Sequence, residues 1–316
     1  MIKIENLTKT YGQVKALDDI SFEVKEGEVL GFLGLNGAGK TTTMNIITGF
    51  IPPSSGTVTV EGFDVMDNPA EVKRRIGYLP ELPPVYTDLT VKEYLRFVAK
   101  LKKVPGDKIK ENVDRSIESV KLQHVANRLI GNLSKGYRQR VGFAQALIGQ
   151  PKILILDEPT VGLDPTQVIE IRKLISDLQK KHTIIFSSHI LSEVSAVANR
   201  MVIIDSGKII AQGDTKSLSR SLGGKNLQIS VLGPKASALS AIKTVYGVKS
   251  VAWVEGRGDV NTFAIEQADG EDVRKALFYE MARQSFPIYG LKSLDDNLED
   301  IFLGIVKRGG VRGGQA

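Results

Sequence analysis

The 316-residue sequence contains no cysteine, which excludes disulfide staples and thiolate metal sites. Its histidines, His124, His182 and His189, are too few to build a histidine-rich metal centre. Long hydrophobic runs are missing as well. The longest, such as 153–156 and 184–186, fall far short of the ~20 residues that a membrane-spanning helix requires. Residues 1–12 lack the apolar segment of a signal peptide. Internal repeats and extended heptads are also absent. The expectation is a chain that is soluble by itself; if it serves a membrane, another polypeptide must carry the spanning part.

The remaining composition is that of a globular protein, with 42% hydrophobic and 25% charged residues. The length suits one large domain and a smaller appendage. A net charge of +6 is modest over this length. It is compatible with anionic ligands, a membrane surface or nucleic acid, and equally with a plain solvated surface.

Short β-type runs alternate with helical patterns over most of the chain. Residues 20–24 and 29–33 read as strands on either side of the Glu26-Gly27 turn, 40–48 as a helix and 57–60 as a strand. Leu95, Val98, Ala99 and Leu101, then Ile109, Val113 and Ile117, extend a helical pattern from 91 to about 122. Strands follow at 152–156 and 183–186, with a helix over 165–180 between them and a hairpin around Ser206-Gly207. This alternation predicts a largely parallel α/β sheet covered by helices. A Ser/Gly-rich stretch at 217–225 marks a boundary. Beyond it, a β-α-β-β-α pattern predicts a small α+β domain, followed by a helix over 294–306 and a disordered tail over 307–316.

Gly34-Leu35-Asn36-Gly37-Ala38-Gly39-Lys40-Thr41, continued by Thr42, follows an apolar strand and opens a helix. That is the pattern and the context of a phosphate-binding loop. Glycines let successive backbone N–H groups turn onto phosphate oxygens, and the helix N-terminus adds its positive dipole end. Lys40 is placed to reach the terminal phosphates of a nucleotide, and the Thr41 hydroxyl to hold Mg²⁺. Residues 153–156 form a second apolar strand, which ends in Asp157 and Glu158. An acid pair after a strand is often an ordinary turn. At the carboxyl edge of the sheet that carries the phosphate loop, Asp157 is expected to bind Mg²⁺ through its water shell, and Glu158 to orient or deprotonate an attacking water. We expect Asp157 on the central strand of that sheet.

Between these motifs lies Leu133-Ser134-Lys135-Gly136-Tyr137-Arg138-Gln139-Arg140, which resembles the signature of ABC ATPases. Val161-Gly162-Leu163-Asp164 resembles the D-loop of that family, and Ser187-Ser188-His189 its switch histidine. Tyr11, 23 residues before Gly34, stands where the family stacks an aromatic ring on adenine. Taken singly, Tyr11 or His189 would more often be a packing residue; their order and spacing promote them. The resemblance runs from residue 2 to 213, in the family's order throughout. It implies a P-loop core of ABC type over 1–216, a helical subdomain over about 82–150 and an accessory α+β domain over 225–306. It also implies ATP and Mg²⁺ as cofactors and a head-to-tail pair with a second copy or a related ATPase. Ser134, Gly136 and Asp164 then contact nucleotide across the pair, while Lys40, Glu158 and His189 carry hydrolysis.

Three departures from the family pattern stand out. Leu35 replaces a frequent proline, and Lys135 and Tyr137 replace a glycine and a glutamine of the signature. Glu81 occupies the position of a glutamine that ligates Mg²⁺. Glu81 and Lys135 together resemble the ABC-2 exporter branch, which implies a membrane-spanning permease partner and a place on the cytoplasmic face of the membrane. The competing class, ABC ATPases acting on nucleic acid or ribosomes, usually brings tandem cassettes, long coiled coils or zinc-binding cysteines. This chain has none of these, and no nucleic-acid partner is expected.

Overall fold

Alternating burial along Ile2–Tyr11 makes the first element a strand, β1, with Ile2, Ile4 and Leu7 fully covered. It pairs antiparallel with β2 (Val14–Val24). Sequence patterning does not mark β1, because its inward residues are interrupted by a bulge between Ile4 and Leu7. Next come β3 (Val29–Leu33), α1 (Lys40–Ile47), β4 (Ser55–Val60) and β5 (Phe63–Asp64). Strands β2-β1-β4-β5 form one antiparallel sheet. The strands on either side of the Glu26-Gly27 turn thus part company: β2 joins this sheet, while β3, buried at every residue, enters another.

The second sheet is built from β3, β6 (Ile76–Leu79), β7 (Ile153–Leu156), β8 (Thr183–Ser188), β9 (Arg200–Asp205) and β10 (Lys208–Asp214), in the order β10-β9-β3-β8-β7-β6. All its pairings are parallel except the β9–β10 hairpin. Every residue of β7 and β8 is buried, as a parallel sheet covered on both faces requires. One expectation needs correction. The strand leading to Asp157 is not central; β3 and β8 hold the middle, and β7 lies one place in from the β6 edge. It still has parallel neighbours on both sides, so the carboxyl ends of β3, β7 and β8 open on one edge. Apolar residues of both sheets and of α1 share a single core, with the rings of Phe22 and Phe32 at 5.4 Å.

Between β5 and β6 lies α2 (Pro69–Arg75); between β6 and β7 lie α3 (Val91–Leu101), α4 (Ile109–Ser119) and α5 (Lys135–Leu147). The single helical pattern read over 91–122 is two helices. Lys103 takes a left-handed backbone just past α3, and Pro105 cannot continue it. Thr90 and Glu93 close a reciprocal capping box at the start of α3. Helices α6 (Pro165–Leu178) and α7 (Leu191–Val197) flank β8 in sequence.

The computed structural model describes residues 1–215, 217–218, 226–268 and 271–293. Contacts divide the chain into two compact units, Met1–Thr215 and Lys216–Ala316. The second contains β11 (Asn226–Leu232), α8 (Lys235–Lys243), β12 (Val248–Arg257), β13 (Val260–Gln267), α9 (Arg274–Arg283) and β14 (Ile288–Ser293). Its antiparallel sheet runs β12-β13-β11-β14, a split β-α-β arrangement of ferredoxin-like type. Strand β14 completes the β-α-β-β-α pattern read from sequence. Leu227, Ile229, Phe263 and Ile265 of the sheet close over Ile242 of α8 and Leu277 of α9. The helix expected over 294–306, the tail over 307–316 and residues 219–225 of the Ser/Gly-rich stretch lie outside the described residues.

Candidate active site

The chain leaves β3 at Leu33 and turns through Gly34 to Gly39 before α1 begins. Gly37 and Gly39 hold φ of +82° and +110°, a left-handed region that side chains resist. Packing adds to the demand, since a Cβ on Gly39 would lie 2.7 Å from Leu17 and 2.8 Å from the Ala16 carbonyl. Asn36 and Gly37 are exposed at the loop's crest, Leu35 is half-buried and Ala38 is buried beneath it. Lys40 opens α1 and is buried. Its ammonium donates to the carbonyls of Gly34 at 2.8 Å and Leu35 at 3.2 Å, and pairs with Glu158 Oε1 at 3.0 Å. Thr41 is exposed and Thr42 half-buried on the following turn.

Asp157 and Glu158 are both buried, at 1% and 5% exposure. The Ser187 hydroxyl joins them, donating to Asp157 Oδ1 at 2.6 Å and accepting the Glu158 backbone N–H at 2.8 Å. Glu158 sits at φ +45°, an uncommon backbone for a non-glycine residue that the surroundings must enforce. Its second oxygen, Oε2, meets Nδ1 of His189 at 2.9 Å. Lys40, Glu158 and His189 therefore form one continuous polar chain. Burial raises the Asp157 pKa above the ordinary carboxylate value, against the stabilising hydroxyls of Ser187 and Thr41. Asp157 Oδ2 is buried without a hydrogen bond. A buried carboxylate oxygen of this kind, beside the Thr41 hydroxyl, suits a hard cation. Among the described residues, no group of three or more histidines and carboxylates could hold a metal by itself.

A further buried network fixes the turn that carries Glu158. Glu193 accepts hydrogen bonds from Thr160 at 2.6 Å and Ser188 at 3.0 Å, and the Gln139 amide of α5 donates to the Pro159 carbonyl at 3.0 Å. Sequence reasoning gave no role to Ser187, Gln139, Thr160 or Glu193. Ser187 and Glu193 break the apolar runs of β8 and α7, whereas Gln139 stands between two arginines and Thr160 on a turn, where a polar residue carries no signal.

Ser134 and Asp164 are both helix caps. Ser134 accepts from Tyr137 N at 3.4 Å at the start of α5, and Asp164 from Gln167 N at 2.9 Å at the start of α6. A Cβ on Gly136 would meet the tip of the Gln167 side chain at 2.6 Å, so that amide already lies against the helix start. Ser134, Gly136 and Asp164 thus line one cavity of about 620 Å³, together with Lys121 and Arg140. The structure brings these three together but joins none of them to Lys40 or Glu158 by a hydrogen bond or ion pair among the described residues. Tyr11 stands apart at the end of β1, half its surface open, with the Lys9 ammonium 5.1 Å from its ring. Glu81 is exposed after β6 and, among the described residues, makes no hydrogen bond or ion pair, so it is not gathered with Asp157 and Thr41.

Known proteins resemble this chain in sequence and in fold. A sequence family described as ABC transporter matches residues 17–161. The bacitracin transport ATP-binding protein of Bacillus licheniformis is 44% identical over 214 residues, covering 67% of this chain and 69% of that one. The linearmycin resistance ATP-binding protein of Bacillus subtilis is 34% identical over 310 residues, 98% of this chain and 99% of that one. Among solved structures, a dimeric ATP-binding cassette in a post-hydrolysis state with ADP and phosphate superposes with a TM-score of 0.62 at 26% identity, over 68% of this chain and 99% of that one. A cassette of a Clostridium perfringens transporter complex gives a TM-score of 0.64 at 31% identity, over 70% and 94%. Two converging acids behind a glycine loop, a separate capped helix N-terminus and full-length relatives of this kind lead to one conclusion: the chain belongs to the ABC transporter family, as an ATP-binding, ATP-hydrolysing subunit.

Proposed function

We propose that two copies of this chain, or this chain and a related ATPase, close head to tail on two ATP molecules and drive an ABC-2-type exporter. Each nucleotide lies between the loop from Gly34 to Thr42 of one copy and Ser134, Gly136 and Asp164 of the other. The exposed ring of Tyr11 supplies a face for adenine. The observation that carries this reading is the Lys40–Glu158–His189 chain, which aims a buried carboxylate at the mouth of the phosphate loop.

Lys40 rests on two carbonyls and one carboxylate, and a triphosphate on the loop offers its ammonium more negative charge than either. Drawing Lys40 toward the phosphates frees Glu158 Oε1. Glu158 then accepts a proton from a water as that water's oxygen bonds to the γ-phosphorus and the bridging P–O bond breaks, leaving ADP and phosphate. His189 holds the other carboxylate oxygen and so fixes the direction of proton transfer. The strained Glu158 backbone, tied to Ser187, keeps this geometry in place. Asp157 and Thr41 would hold Mg²⁺, which would supply charge neutralisation when bound. Glu81 is a candidate further ligand that would have to approach from its exposed position.

Transport needs a permease, and no described helix is long and apolar enough to cross a membrane. A groove of about 1,110 Å³ between the β6 region and the helices α3 and α5 is the proposed seat of that permease on the cytoplasmic face. The relatives named for bacitracin transport and linearmycin resistance support export as the direction. Replacement of Glu158 by Gln tests the mechanism: ATP binding should persist, while turnover falls by ~10²–10³-fold. Near wild-type hydrolysis would remove Glu158 from this role.

A further inference from the structure

Strands β7 and β8 pair in register as far as Leu156 and Phe186. Beyond that point no ladder holds Glu158 against His189, although the two side chains meet at 2.9 Å. Other side chains take over the task. The Ser187 hydroxyl ties the first residues past the ladder, and one buried carboxylate oxygen ties the next. Oε2 of Glu193, on α7, accepts the Thr160 hydroxyl at 2.6 Å and the Ser188 hydroxyl at 3.0 Å. Thr160 lies two residues past Glu158, and Ser188 immediately precedes His189. Ser188 Oγ also accepts the Ile190 N–H at 3.0 Å, which fastens the same network to the backbone on the far side of His189. Glu193, Thr160 and Ser188 are 5%, 8% and 1% exposed. A carboxylate covered to this extent is usually paired with a cation, yet among the described residues Glu193 forms no ion pair. Its partners are the two hydroxyls, and 2.6 Å is the length of a strong hydroxyl–carboxylate hydrogen bond.

We infer that Glu193 is a positioning residue for hydrolysis: one oxygen, bound to both hydroxyls, sets Glu158 against His189 without touching either. The inference rests on the roles proposed above for Glu158 and His189. Among the described residues Glu193 makes no hydrogen bond to Lys40, Glu158 or His189, so it acts through the two segments it joins. The turn it restrains carries Glu158 at φ +45°, a conformation that relaxes once its surroundings stop enforcing it. A displacement of about 1 Å at a reacting group can cost about 10²-fold in rate. The phosphate loop, which Glu193 does not touch, would still bind nucleotide. Loss of this tie therefore falls on kcat and spares KM.

The test measures ATP hydrolysis and ATP binding in variants of the full chain. Glu193→Met removes the acceptor at similar volume; kcat should fall about 10- to 100-fold, with KM and ATP affinity within about twofold of wild type. Glu193→Gln keeps an oxygen for both hydroxyls and should recover kcat to within about fivefold. Ser195→Ala, on the same helix and with a hydroxyl buried without a hydrogen bond, should leave kcat unchanged. The decisive reading is a double-variant cycle. In the Glu158→Gln background, Glu193→Met should slow single-turnover hydrolysis by less than about twofold, because there is no longer a base to position. Should Glu193→Met fail to fold, Thr160→Val and Ser188→Ala cut the two ties singly, and each should lower kcat about three- to tenfold at constant KM. A full further loss in the Glu158→Gln background, or a parallel loss of kcat and ATP affinity, makes Glu193 a general structural residue and overturns the inference. Wild-type kcat in Glu193→Met, beside an inactive Glu158→Gln chain, overturns the inference alone. Wild-type hydrolysis by Glu158→Gln instead removes the reading on which it rests, and the inference with it.

Discussion

The phosphate-loop side and the signature side of this cassette handle charge in opposite ways. On the loop side the charges are buried and already paired: Lys40 with Glu158, Glu158 with His189, Asp157 with Ser187. On the signature side, α5 begins with Lys135 and carries Arg138 in its first turn with no acid, against the preference of a helix dipole. Lys121, Lys135 and Arg138 have no carboxylate partner among the described residues. The loop side keeps one buried Asp157 oxygen without a hydrogen bond, and the signature side has surplus cation at a helix N-terminus. Each half is deficient in what a Mg²⁺-bound triphosphate supplies, which explains physically why one nucleotide should need both.

The sharpest way to break this contrast is to remove one lysine from each side. Lys40→Ala leaves Glu158 buried with a partner missing and should destabilise the chain by ~3 kcal/mol, besides abolishing tight ATP binding. Lys135→Ala, on the exposed side, should shift stability by no more than ~0.5 kcal/mol. Urea unfolding of the two variants measures the difference directly, and equal costs would erase the distinction. A pair of serines provides a second comparison. Ser187→Ala strips one hydrogen bond from the Asp157 carboxylate and one from the Glu158 backbone N–H, and should cost ~1–3 kcal/mol, with turnover reduced. Ser134→Ala removes a helix cap worth ~1 kcal/mol; it should lower turnover while ATP binding to the single chain is kept.

The smallest effect is one of pH. The Asp157 pKa is raised in the folded chain, so stability owed to its protonated form is fully present below the unfolded value and is lost as pH rises through the folded value. Cation binding requires the opposite state, the ionised carboxylate. Mg²⁺-dependent ATP affinity should therefore fall as pH drops through the raised value. In Asp157→Asn that pH dependence should flatten, as titration calorimetry across the acidic range would register.

Contiguous patterns are legible in the sequence. The glycine loop with Lys40, and the apolar strand ending in Asp157-Glu158, are local arrangements in which spacing encodes geometry. The α/β class followed from the same periodicity. Contacts between distant residues were not readable: Ser187 lies thirty positions from Asp157, Gln139 twenty from Pro159 and Glu193 thirty-three from Thr160. Nothing in a hydroxyl or amide reveals its partner until the strands align. Sheet order was hidden for the same reason, since identical buried runs suit a central strand or its neighbour, and β7 proved to be the neighbour. Strand β1 and the break between α3 and α4 were obscured by a bulge and by a short proline turn.

The most direct test is the mass in solution of Glu158→Gln at saturating Mg·ATP. Light scattering should register a shift from 34.5 kDa to twice that value, reversed when ATP is removed. A variant that binds ATP yet stays at 34.5 kDa would contradict the claim that each nucleotide is enclosed by two chains.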